Sequence, residues 1–250
     1  MRFKFQPQLF FLLTLGFVLF TAIGTVSHEY GHILIAKVYG YETQLHYGMV
    51  SFNPPGYKDD PSYIALDSLF NKYPDTPYLD LPENVRKLHQ EHHDILYEWY
   101  WSDNSNDGLY ITMGGPAQTM LTGICGLLIL FFRRKLRAMQ GFKLVDWLGV
   151  FLSLFWLREV FNLVMSTTRE LISPNGEWFG GDEELISTEL GLWDGTFSVL
   201  LGMIGLTLSL YVIFKVVPSP KRFTFIVSGL VGGIVGFVLW MDVLGPILLP

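Results

Sequence analysis

Apolar residues gather into five long runs along the 250-residue chain. They cover about Gln8 to Val38, Leu109 to Phe132, Leu144 to Met165, Thr196 to Val217 and Phe223 to Leu244. A helix needs about 20 apolar residues to cross the roughly 30 Å hydrocarbon core of a bilayer, and every run approaches or exceeds that length. The pattern therefore predicts an all-α integral membrane protein with about five transmembrane helices. The first run is interrupted by the polar stretch "SHEYGH" after Val26.

The polar positions organise the rest. Residues 1–40 form the first transmembrane unit, 41–108 an extracytoplasmic segment, and 109–250 helices two to five with a loop at 166–195. Within the segment, "QLHYGMVSFN" (44 to 53) alternates as a short strand or hairpin arm and stops at Pro54-Pro55-Gly56. Residues 57–82 read as turn-rich. After Pro82, the residues Val85, Leu88, His92, Ile95, Leu96 and Trp99 recur at helical spacing. That amphipathic helix carries Tyr97, Trp99, Tyr100 and Trp101, which suit a membrane interface.

Charge sets the expected orientation. Arg2 and Lys4 precede the first run; Arg133, Arg134, Lys135, Arg137 and Lys143 link the second to the third; Lys215, Lys221 and Arg222 link the fourth to the fifth. Residues 41–108 are strongly acidic, and 166–195 hold Arg169 as their sole basic residue. The positive-inside rule then places the N-terminus in the cytoplasm and the C-terminus outside. Apolar character resumes after "SHEYGH", which favours a signal anchor over a cleaved signal peptide. A composition with 50% hydrophobic and only 16% charged residues agrees with a membrane protein, and a net charge of -6 argues against nucleic acid as partner. The single cysteine, Cys125, excludes an intramolecular disulfide and cysteine-based zinc ligation.

His28, Glu29 and His32 spell H-E-x-x-H. Residues four apart share one face of a helix, so the two imidazoles can hold one metal ion while Glu29 serves as general base toward water. The bland alternative is a polar helix end wetted at the outer interface. Ionisable residues inside a membrane are functional by default, which favours the metal. His28 lies some twenty residues into a helix that starts inside, hence about 30 Å up, near the outer boundary.

"HEYGHILIA" resembles the H-E-x-G-H helix of the site-2 proteases, membrane-embedded zinc metalloproteases. "MGGPAQTMLTG" (113 to 123) is similar to that family's Gly-Pro segment, and "FNL" (161 to 163) with "GGDEELI" (180 to 186) to its Asn-Leu and Asp-Gly segment. The resemblance implies a Zn2+ site of His28, His32 and Asp182, with Glu29 as catalytic base and Asn162 steadying the oxyanion. It also implies hydrolysis of membrane-anchored proteins or peptides, with membrane lipid as surroundings. The chain departs from the family where Gln118 or Thr119 replaces an Asn, where a long insertion separates Asn162 from Asp182, and where Glu183 follows the Asp.

Several readings stay open. Glu159, Glu183 or Glu184 are alternative third ligands, and the run Asp182-Glu183-Glu184 also suits the first turn of a helix. Arg158, Glu159 and Asn162 share a region of the third span, either as a buried structural group or with Arg158 or Asn162 as oxyanion stabiliser. His89, His92 and His93 form either a solvated face or a second metal site. Gly114, Gly115, Gly123 and Gly126 allow close helix packing. The hairpin could take an unwound substrate by strand addition. Two other classes compete: a non-catalytic membrane binding or regulatory protein, and a zinc transporter or sensor. An intact Glu29 disfavours the first, and the scarcity of polar residues in spans four and five disfavours the second.

Overall fold

The computed structural model describes residues 5–74, 76–100, 106–174 and 176–250, so Arg2, Lys4 and Trp101 lie outside the described residues. Among the described residues, five helical stretches are long and apolar enough to cross a membrane: Pro7–Val38, Asp107–Phe132, Leu144–Ile172, Thr196–Val216 and Ser219–Leu248. They coincide with the five apolar runs, with ends shifted by a few residues.

Helix α1 (Pro7–Val38) opens on a proline in its first turn and runs unbroken through "SHEYGH". It stops at Gly40, whose φ of 81° is left-handed; Gly40 N–H donates to Lys37 O and Tyr41 N–H to Ala36 O. This paired closure satisfies the last carbonyls and turns the chain directly into a hairpin. Strands β1 (Glu42–Leu45) and β2 (Val50–Asn53) pair antiparallel, Glu42 opposite Asn53 and Leu45 opposite Val50. The hairpin tip is tied to the end of the last span: Trp240 Nε1 donates to Tyr47 O at 2.7 Å, and Tyr47 N–H to Leu249 O at 2.9 Å.

Residues 57–82 contain a helix that the turn-rich reading missed. Helix α2 (Pro61–Lys72) starts at Asp60, whose carboxylate accepts the Ser62 N–H at 2.7 Å, with Pro61 in the first turn. It buries only Ser62 and Leu66, so its apolar stripe is too thin to stand out. Helix α3 (Glu83–Tyr100) packs on it through Val85 and Leu96. The His89 ring meets Phe70 and Tyr78 edge-on, and His93 stacks on His89. His89 thus packs between the two helices where a solvated face was the expected alternative to a second metal site, while His93 stays exposed.

Helix α4 (Asp107–Phe132) lies against α1 backbone to backbone. A Cβ on Gly31 would strike the carbonyl of Gly114, and one on Gly114 the carbonyl of Gly31. After a short basic helix α5 (Arg134–Gln140), the third span comes in two pieces, α6 (Leu144–Ser153) and α7 (Leu157–Ile172). A single tight 3-10 turn, Leu154–Trp156, joins them. Asp146 is fully buried at the foot of α6, accepting from Arg133 Nε at 3.0 Å and the Lys143 N–H at 2.8 Å, which pins the elbow between spans two and three.

Helix α8 (Asp182–Glu189) follows, then α9 (Thr196–Tyr211) with a π turn to Val216, and α10 (Ser219–Val238) with a π turn to Leu244 and the short α11 (Gly245–Leu248). Side by side, the order is α10, α1, α4, α6–α7 and α9. The core at the basic end is built on Leu13, Leu130, Val150, Phe151, Leu154 and Phe225. Gly126 faces the backbone of Ser153, so a Cβ there would collide with main chain rather than a yielding side chain. Gly126→Ala should lower the thermal stability of the detergent-solubilised protein by about 1–3 kcal/mol, read as a shift in its melting transition.

Candidate metal centre

Two successive turns of α1 carry the H-E-x-x-H residues into the interface with α4. His28, Glu29 and His32 are all buried. The glycine contact between the two helices is what admits them: a Cβ on Gly115 would occupy the space of both His28 Nε2 and His32 Nε2. Each imidazole is held through its other nitrogen. His32 Nδ1 lies 2.8 Å from the carbonyl of Ile111, which can only accept, so Nδ1 carries the proton and Nε2 of the neutral ring keeps its lone pair. His28 Nδ1 lies 2.9 Å from Thr119 Oγ1, and a donated proton there frees Nε2 in the same way. Pro116, inside α4, offers no N–H to the turn that contains Ile111, which loosens that turn's own hydrogen bonding.

The third donor arrives from α8. Gly181, with φ of 81°, turns the chain so that Asp182 opens the helix. Its Oδ2 lies 2.8 Å from His28 Nε2 and 3.4 Å from His32 Nε2, and the two Nε2 atoms are 3.2 Å apart. Donors about 2.0–2.2 Å from a tetrahedral ion lie roughly 3.3–3.5 Å from one another, so the set needs little adjustment to close on one. Among the described residues, His28, His32 and Asp182 are the group of three such side chains that comes together this way. Two imidazoles and one carboxylate, with the remote nitrogens already satisfied, can hold a divalent metal ion.

The other candidates fall elsewhere. Glu159 is buried, and its carboxyl faces Glu183 rather than the histidines. Asn162 Nδ2 donates to both oxygens of Glu183, at 3.2 and 3.4 Å, so this pair ties α7 to the start of α8. Ser187 Oγ accepts the Phe197 N–H at 3.1 Å and anchors the far side of α8 on α9. The acids of "GDEE" thus do sit in a helix first turn, while no side chain caps it. Thr119 and the Ile111 carbonyl are the parts that residue spacing did not single out as orienting groups. Thr119→Val keeps the shape and loses the hydroxyl; it should weaken zinc affinity about 10–100-fold, as measured by competition with a chromogenic chelator.

Comparison with protein-family models, curated proteins and solved structures returns no match for this chain, so the reading of the site stands on its own geometry.

Proposed function

We propose that this chain is a membrane-embedded zinc metallopeptidase, resembling the site-2 proteases, that hydrolyses membrane-anchored proteins or peptides. The observation that carries the reading is the convergence of His28 Nε2, His32 Nε2 and Asp182 Oδ2 with Glu29 one residue along the same helix. When bound, the ion supplies Lewis-acid polarisation and lowers the pKa of water at the site to about 7. Glu29 takes the proton of the attacking water and returns it to the leaving amine. Thr119 and the Ile111 carbonyl hold the two imidazoles in one orientation, and the Asn162–Glu183 pair fixes the start of α8, hence Asp182. The four elements are rigid helices, which keeps the donors in place without reorganisation.

The orientation follows the basic loops. Lys221, in the first turn of α10, lies over the Trp147 ring near the start of α6, so both basic stretches share one end of the bundle. Placing that end in the cytoplasm puts α2, α3, the hairpin and the metal centre toward the outer leaflet. A substrate helix there must unwind to expose a peptide bond, because backbone in lipid keeps its hydrogen bonds internal.

The test is metal content set against cleavage. Protein purified in detergent should carry about one zinc per chain and cut an anchored substrate; chelation should abolish cleavage and zinc should restore it. Cleavage that survives complete removal of the metal would overturn the reading.

A further inference from the structure

A groove of about 730 Å³ runs along the bundle between α1, α7 and α10, beside the metal centre. On α10 it extends from Phe225 to Met241, about 24 Å at 1.5 Å per residue. Its walls are largely aromatic, with Phe20, Phe155, Phe161 and Phe237 among them. Its rim is exposed at Leu230 and Ile234, residues of a spanning helix that meet lipid.

Size limits the occupant. The volume falls within the roughly 300–1,000 Å³ of cavities that bury one small ligand. A single extended hydrocarbon chain is an occupant of that size.

Polarity limits it further. Gly16 packs beside Phe151 and Gly24 beside Phe155, so the first and third spans ascend together, and Arg158 and Asn162 line the groove on either side of Phe161. They share the groove with Gly48 of the hairpin tip and Met241. Arg158 Nε is buried with no hydrogen-bond partner. Its charge is felt by Glu29 and Glu159, but among the described residues neither carboxylate pairs with it. A guanidinium on the wall of a largely apolar slot matches an anionic head on a hydrocarbon tail, and its planar fork suits a carboxylate.

We infer that this groove binds a long-chain fatty acid, its carboxylate at Arg158 and its tail along α10 toward Phe225. The inference does not rest on the hydrolytic reading: Thr119 and Asn162 line the groove as well, but neither Glu29 nor the metal takes part in holding the ligand.

The experiment uses the full chain in zwitterionic nanodiscs and a brominated stearate, which quenches nearby tryptophan. Trp147 stacks on Phe225 at the tail end, with ring centroids 5.7 Å apart, and reports arrival there. Quenching should saturate, and stearate should compete about tenfold better than stearyl alcohol, the advantage of one charge-assisted contact. Arg158→Gln should make acid and alcohol equal. Gly233→Leu should abolish saturable quenching, because a Cβ at Gly233 meets open space and the added chain fills the groove without a clash. Binding should persist after chelation and in Glu29→Gln, so its failure and the failure of the peptidase reading are distinguishable. Unsaturable quenching, or quenching unchanged in Gly233→Leu, would reduce the groove to ordinary lipid contact and overturn the inference. So would equal competition by phosphatidylglycerol vesicles, or competition by an extended apolar peptide but not by stearate.

Discussion

Glu29→Gln is expected to leave the zinc content of the purified protein unchanged while lowering hydrolysis of an anchored substrate about 10³-fold. The substitution keeps the size of a buried side chain and alters only its capacity to take a proton. Glu29 is not among the three converging donors, so metal affinity has no reason to fall. Positioned general bases contribute about 10²–10⁴-fold, and here the same carboxylate serves both the attack and the departure of the amine. Metal analysis and a cleavage assay on one preparation give both halves of the answer. Full activity in the variant would remove Glu29 from the mechanism, and with it the hydrolase reading.

Gly115→Ala is expected to cost the protein its metal. In an exposed helix this exchange is favourable by about 1 kcal/mol, so the helix itself gains. At this position the new methyl would stand on His28 Nε2 and His32 Nε2, and the His32 Cε1 atom would be 2.6 Å away. The rings can yield only by leaving Thr119 and the Ile111 carbonyl. Bound zinc should fall at least about tenfold and cleavage with it, while circular dichroism stays that of the native helices. Retention of stoichiometric zinc would show that the two imidazoles do not jointly hold it.

The five spans were legible because hydropathy over twenty residues is a strong, local signal. So was the pairing of His28 with His32, which helical periodicity alone enforces. Helix α2 was not, since it hides just two residues, and its real marker was the short Asp60-Pro61 start. Asp182 could be nominated only through a family resemblance; what brings it home is the turn at Gly181 and the tie from Asn162 to Glu183. The Ile111 carbonyl is backbone and has no signature at all. Thr119 stood out only as an exception to a motif, although its hydroxyl is the group that aims His28.

The tight turn at Leu154–Trp156 has a consequence for aim. Each residue of a 3-10 turn advances about 120° around the axis, against about 100° in an α-helix. Three such residues rotate everything beyond them by roughly 60°. In a uniform α-helix Arg158 and Asn162 would present another azimuth, away from the groove and from Glu183. Residues 154–156 thus work as a phase shifter between a foot that is clamped through Asp146 and an upper half that must point at chemistry. Lengthening the turn by one residue would swing the upper half by about 120° and retire both side chains at once.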